Sequence, residues 1–298
     1  TNMAWTPLQA PATNALYNVY AGTLSRTFSS PPAIGDVVIA TGGGRSDAVT
    51  WDVTDNYSNG PSAHYSIYQT GNSQPFSAFV AFAVVTTTGA SFTVTAASTA
   101  GQQAENLDIE LWSGGSGAGV LDASSLGSYQ LNVPTTASVT TTEAGDLLIS
   151  SFVDSNAVTL TTPPSGYTSM MAVSTAISGH GSAYKIAGAA GSETVTWPEY
   201  SGTGYTRAVL VALKAGASGP TVTSVTQTSG GTEGSPAVMT VSLSGATSGS
   251  TNFAATLAGV TATGSGTDFT SDLASATYSN GVTFSGGNMV VPDAVSGW

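Results

Sequence analysis

The chain has 298 residues, 41% hydrophobic and only 7% charged, with 17 acidic against 5 basic side chains and a formal net charge of −12. Two or three domains with substantial cores fit that length. So little positive charge leaves phosphate binding by counterion release, or attraction to an anionic membrane surface, almost nothing to work with. There is no cysteine, which excludes disulfides, thiolate catalysis and Cys-ligated zinc.

With charge far below the usual quarter or so of residues, Ser, Thr, Asn, Gln and Gly must cover the surface. That is a habit of extracellular or particle-exposed β proteins. The opening "TNMAWTPLQAPATNALYN" has neither the basic nor the apolar region of a signal peptide, and the longest apolar runs, such as Ala208–Leu213, are strand-sized. The expectation is a leader that was removed, or an assembly that needs none. Residues 1–19 read as an N-terminal arm or edge strand: "LYNVYAG" is strand-like, and Pro7 and Pro11 mark extended chain.

Strand signals then recur every eight to twelve residues or so, bounded by Gly, Pro, Asn and Ser clusters. They are "DVVIA" (Asp36–Ala40), "AVTWDV" (Ala48–Val53), "HYSIYQT" (His64–Thr70), "SAFVAFAVV" (Ser77–Val85), "ASFTVTAA" (Ala90–Ala97) and "NLDIELW" (Asn106–Trp112). Helix signals are nearly absent. The class is all-β: a larger jelly-roll-like β-sandwich at 20–214 followed by a smaller Ig-like sandwich at 221–298.

The larger region contains an internal echo. "AIGDVVIA" at Ala33 returns as "EAGDLLIS" at Glu143, "SAHYSIY" at Ser62 as "GSAYKIA" at Gly181, "ASFTVTA" at Ala90 as "GSETVTW" at Gly191, and "NLDIELWSG" at Asn106 as "RAVLVALKAG" at Arg207. Four elements in the same order argue for duplication. The expected outcome is one sandwich of about two hundred residues with a sheet from each half, because so few strands bury little surface alone; two small sandwiches are the alternative. "AGASGP" (215–220) is a linker. After it, "TVTSVTQT", "PAVMTVSLS", "TNFAATLAG", "SATYSNGVTF" and "NMVVPDA" give about five more strands.

The residues of this last region resemble a Calx-β module. They are Glu233-Gly234, the "TVSLSG" strand Thr240–Gly245, Gly266-Thr267-Asp268-Phe269, and Val282–Gly286. The resemblance covers 220–295 or so. It implies a module repeated in stalks of bacterial surface proteins and in phage tail and virion proteins, sometimes with calcium between loops at one end. Glu233, Asp268, Asp272 and Asp293 are the candidate calcium ligands. The family pattern continues past the position held here by "VSGW" into further strands and an acidic segment. The expectation is therefore a truncated module, with an edge beyond Val295 to be covered by a strand of this or another chain. Residues 20–214 resemble a looser family of sandwiches in bacterial surface and phage structural proteins, through "GDVVI" and "GDLLI", Pro163-Pro164-Ser165-Gly166-Tyr167 and "LVALK".

Other candidate chemistry is thin. His64 and His180 fall at matching places in the two halves but in no metal-binding pattern. No nucleophile elbow is present. Gly42–Gly44 and Gly114–Gly119 lack a following helix, so they read as hairpin tips rather than phosphate loops. Three carboxylate pairs, Asp52 with Asp55, Asp108 with Glu110, and Glu193 with Glu199, have glycosidase-like composition. Asp108 and Glu110 lie two apart on a strand and share a face; a solvated rim is the expectation, with a bridging cation as the alternative. Trp51, Trp112, Trp197 and Tyr200 read as core, with a sugar platform as the alternative. The functional expectation is a non-enzymatic structural protein of a tailed-phage virion, as capsid decoration or tail fibre. Its partners would be copies of itself, capsid or tail proteins and a host-surface glycan, with no cofactor beyond calcium, no nucleic acid and no membrane insertion. The alternative is a bacterial extracellular adhesin or filament subunit assembled by strand exchange.

Overall fold

A computed structural model describes residues 3–9, 16–18, 22–45, 50–70, 76–99, 103–131, 133–174, 178–198, 200, 203–216, 222–229, 238–244, 251–255, 273–274, 276–292 and 294–298. The described residues are all-β apart from one short 3-10 turn at Pro61–Ala63. The chain forms two compact units, Thr1–Ala217 and Ser218–Trp298.

The first half of unit one contains β1 (Thr6–Gln9), β2 (Leu16–Asn18), β3 (Thr23–Thr27), β4 (Val37–Arg45), β5 (Trp51–Asp55), β6 (Ser66–Gln69), β7 (Ser77–Val84), β8 (Thr93–Ser98) and β9 (Gln103–Ser113). Its inner sheet runs β1-β9-β4-β7-β6, with β2 also on β9, and its outer sheet runs β3-β8-β5. The second half contains β10 (Leu121–Leu126), β11 (Gln130–Leu131), β12 (Thr135–Thr141), β13 (Leu147–Asp154), β14 (Thr168–Ser174), β15 (Gly179–Ile186), β16 (Gly191–Trp197) and β17 (Tyr205–Leu213). Its inner sheet runs β10-β17-β13-β15-β14, with β11 also on β17, and its outer sheet is the pair β12-β16.

The two inner-sheet orders correspond strand for strand, the outer sheets share the pair β3-β8 with β12-β16 while β5 has no counterpart, and the turns that start the two halves are alike. Gly35 and Gly145 have φ of 94° and 84°, a region open to glycine at little cost. Each donates its N–H across the sheet, to Val85 at 2.9 Å and to Ala187 at 3.0 Å. The carbonyls of Asp36 and Asp146 accept in return from the same two residues, each at 2.8 Å. Three of the four sequence echoes fall on equivalent strands: β4 with β13, β8 with β16, and β9 with β17. The fourth does not. "SAHYSIY" leads into β6, whereas "GSAYKIA" is β15, whose place corresponds to β7. Tyr, Ser and Ile recur on too many strands for that match to fix an alignment.

The layering also differs from the expected single sandwich. Each half supplies two sheets and its own core. One core packs Trp51, Phe79, Phe92, Leu107 and Ile109 between the first outer and inner sheets. Another packs Val139, Leu148, Phe152, Val195 and Trp197 between the second pair. A third lies between the two inner sheets and gathers Val37, Ile39, Phe82, Trp112, Leu147, Val209, Val211 and Leu213. The central strands are therefore buried on both faces: all eight residues of β13 are buried, and so are all but the last of β7. Hydrophobic runs without alternation are what such strands need. Across the central layer β4 lies against β15 and β13 against β7. These are reciprocal contacts of equivalent strands, the pattern of a two-fold interface.

In unit two, β18 (Val222–Ser229) pairs with β19 (Val238–Leu243), and β20 (Thr251–Ala254), β21 (Thr283–Ser285) and β22 (Asn288–Val291) form a sheet in the order β20-β22-β21. Val282, Met289 and Val291 make its core with Phe253, Tyr278 and Trp298 around them. The run after Val295 lies beside β19: Val241 and Trp298 exchange backbone hydrogen bonds of 2.7 and 3.0 Å, and the Leu243 N–H donates to Ser296 at 3.0 Å.

Candidate functional site

The four calcium candidates, Glu233, Asp268, Asp272 and Asp293, lie outside the described residues, as does Glu199. Among the described residues no group of three or more His, Asp or Glu side chains could hold a metal ion.

Asp108 and Glu110 do share a face of β9, but that face is buried rather than a solvated rim. Their residues are 1% and 8% exposed, because the second inner sheet covers them, which β9 alone cannot announce. Burial, reinforced by the Glu110 charge, holds the Asp108 carboxyl well above its usual range, against the pull of Arg26 and the Ile109 N–H. Neither Asp108 oxygen takes a hydrogen bond of good geometry. Burial pushes Glu110 up to about 7, against the pull of the Trp112 indole, whose N–H donates to Glu110 Oε2 at 3.0 Å. Nearby hydroxyls stitch the same seam. Thr41, opposite Asp108 on β4, donates to Ser182 Oγ at 2.9 Å. Ser151 donates to the Gly42 carbonyl at 3.4 Å.

Asp52 and Asp55 form no pair. Asp52 holds exposed His64 at 2.8 Å, while buried Asp55 accepts from the Tyr57 N–H at 2.7 Å and closes a turn. Glu193 bonds Lys185 at 2.7 Å. The histidines do not meet in a shared site. His64 is exposed, whereas His180 is fully buried on β15 beside Ser178, and burial lowers it to about 3. The tryptophans are core: Trp51, Trp112 and Trp197 are at most 2% exposed. An aromatic surface exists elsewhere. Tyr129 stacks on Tyr205 at 4.8 Å, and Tyr205 is exposed. Gly42 and Gly43 are not at a hairpin tip but inside β4, where an added Cβ would lie 2.2 Å from the Asn106 carbonyl and 2.0 Å from that of Ser77. They are glycines so that neighbouring strands can close in.

One constellation escaped the sequence reading. The pairing of β10 with β17 slips between Leu121 and Ala123, and the bulge turns Asp122 inward until its side chain is 1% exposed. The Thr142 N–H and hydroxyl donate to its two oxygens, each at 2.5 Å. Lys214 Nζ stands 3.5 Å from Asp122 Oδ1. Asp146, fully buried, faces the Asp122 carboxylate. Burial, then the neighbouring Asp122, raises Asp146 to about 7. Burial alone would raise Asp122 too, but the Thr142 donors, Asp146 and Lys214 together hold it below its usual value. The group is thus one carboxylate, one carboxyl that gives up its proton only around pH 7, and one lysine. The "GD" recurrence at Asp36 and Asp146 was the available signal; the bulge that brings Asp122 to it was not.

No protein-family model, curated protein or solved structure matches the chain.

Proposed function

We propose that this is a non-enzymatic structural protein of a tailed-phage virion, either a capsid decoration or a tail fibre or appendage, with its second unit an Ig-like Calx-β module and its first a doubled relative of jelly-roll-like sandwiches. The observation that carries the reading is the hydroxyl surface. On the solvent faces of the outer sheets, Ser25 pairs with Thr95, Thr27 with Thr93 and Ser138 with Thr194, at 2.7–2.8 Å. A neutral, hydrogen-bonded surface over stacked sheets suits a particle coat better than catalysis or nucleic-acid binding. Host-surface glycan is the partner we assign to the Tyr129–Tyr205 stack, in which Tyr205 is exposed and Tyr129 half-buried, since aromatic faces pack well on sugar rings.

The second reading, an extracellular adhesin or strand-exchanging filament subunit, is favoured by one feature. Val222, Val225, Val238 and Met239 are all exposed on the β18–β19 hairpin, an apolar ribbon of the kind that accepts another strand. Immunogold electron microscopy with antibody to this chain separates the two. Labelling of capsids or tails supports the virion; labelling confined to cell-surface filaments overturns it.

A further inference from the structure

We propose that Lys214 and Asp122 become joined by an intramolecular isopeptide bond, formed without any other enzyme, with Asp146 as the group that passes the proton. The geometry has each part such a step needs. Nζ is 3.5 Å from Asp122 Oδ1, so amine and carboxyl are direct neighbours, and attack needs Nζ to close on Cγ to about 3–3.5 Å. The electrophile is fixed by the two Thr142 donors, which also stabilise negative charge developing on its oxygens. Asp146, buried beside that carboxylate, exchanges its proton around pH 7, as a group that both gives and takes a proton must.

The step balances without an added reactant. The Lys214 ammonium gives one proton to the Asp122 carboxylate, leaving a neutral amine and a neutral acid. Nζ attacks Cγ while Asp146 protonates the carbonyl oxygen, giving a tetrahedral centre. A second Nζ proton leaves with one oxygen as water, and Asp146 recovers its proton as the carbonyl re-forms. The sum is ammonium plus carboxylate to amide plus water, with no change of oxidation state.

The first half shows what the same fold does without this chemistry. Its edge strand β1 has the same bulge, between Pro7 and Gln9, but the bulged residue is Leu8, which is exposed, and Ser113 stands where Lys214 does. Asp36, the counterpart of Asp146, spends its carboxylate on the turn, accepting from the Ala33 N–H at 2.8 Å. Neither oxygen of Asp146 takes a bond of good geometry, and its backbone neighbour is the Ala215 N–H rather than its own turn. The other close lysine pair, Lys185 with Glu193, is a plain ion pair; the Glu193 charge falls on the Tyr167 phenol, which burial already raises, and no carboxyl plays the part of Asp146.

The test is the intact mass of the purified chain, with loss of one water expected, about 18 Da below the mass of the sequence. Trypsin should then leave fragments 46–185 and 208–298 joined, because acylated Lys214 is no longer a cleavage site. Lys214→Arg keeps the positive charge but not the nucleophile, so that variant should fold and show its full mass; Asp146→Asn should do the same. A wild-type chain at full mass overturns the proposal. So does a loss of water that survives in Lys214→Arg, which would place it elsewhere in the chain.

Discussion

The two halves of unit one are the same architecture with different interiors. At the central layer β9 presents Asp108 and Glu110 where β17, in the equivalent register, presents Val209 and Val211. Thr41 on β4 and Ser151 on β13 are the matching residues opposite. In the outer layers each half buries one tryptophan whose N–H donates to an inner-sheet serine: Trp51 to Ser77 at 2.8 Å, and Trp197 to Ser150 at 2.9 Å. Yet Trp51 comes from β5 and Trp197 from β16. The serines are not equivalent either, since Ser77 lies on β7 and Ser150 on β13, the counterpart of β4, so each half has met the need for a large buried side chain in its own way. What repeats is a packing requirement, not a residue list.

The largest test of this comparison is to remove each indole. Trp51→Ala and Trp197→Ala should each cost about 3–5 kcal/mol, and by similar amounts, since each also removes a hydrogen bond to a buried serine hydroxyl. Chemical denaturation of unit one reads this directly. A cost near zero at Trp197 would mean that the second half does not rely on it as the first relies on Trp51. The aromatic partners are comparable: Trp51 packs on Phe79 at 5.1 Å and Trp197 on Phe152 at 4.8 Å.

These features bear unequally on what a single sequence can disclose. The strands were legible because Gly, Pro and Asn clusters bound β-branched runs such as Val37–Ala40, and Asp108 and Glu110 were legible as same-face residues from their spacing. Their burial was not, because it depends on a second sheet some forty residues and more away in sequence. Trp51 and Trp197 could be read as core, but their serine partners could not be read. Asp122 was invisible as a site residue, since regular alternation with Leu121 and Ala123 gives no sign of a bulge. Lys214 was read only as the end of a strand.

The central carboxyls give the second test. Asp108 and Glu110 hold their protons more tightly in the folded chain than in the unfolded one. Their favourable contribution is fully present below the unfolded value of about 4. It is lost as pH rises, through about 7 for Glu110 and further for Asp108. His180 acts with the opposite sign. Its folded value, lowered to about 3, makes the chain lose stability as pH falls below the unfolded value of about 6.5. Between these limits Asp108 and Glu110, joined by Asp146, oppose one histidine, and above them the carboxyls act alone. The melting temperature is therefore expected to be higher near pH 5 than near pH 8. Asp108→Val, which makes β9 resemble β17, should narrow that gap and stabilise the chain near pH 8 by about 1–3 kcal/mol, as replacement of buried charge by a fitted apolar group often does. Glu110→Gln, which keeps an acceptor for Trp112, should narrow it too. A gap unchanged in both variants would assign the pH dependence to other groups.

The smallest effect is expected on the outer sheets, and the comparison is sharpest there because the halves agree. Ser25 with Thr95 in one half and Ser138 with Thr194 in the other are cross-strand hydroxyl pairs on solvent faces. Each such bond replaces bonds to water of nearly equal worth, so Thr95→Val and Thr194→Val should change stability by no more than about 0.5 kcal/mol. Valine also suits a strand as well as threonine does. Solubility should respond differently. With 7% charged residues, the chain has few other groups to keep its faces hydrated, and a ladder of valines would turn a wet face into an apolar patch of the kind that associates. Sedimentation of a variant with valine at Thr27, Thr93 and Thr95 together checks this. Association at unchanged melting temperature would show that these hydroxyls serve the surface rather than the fold. Unfolding on substitution would show instead that the ladder holds β3 to β8, and that the two outer sheets owe their stability to different things.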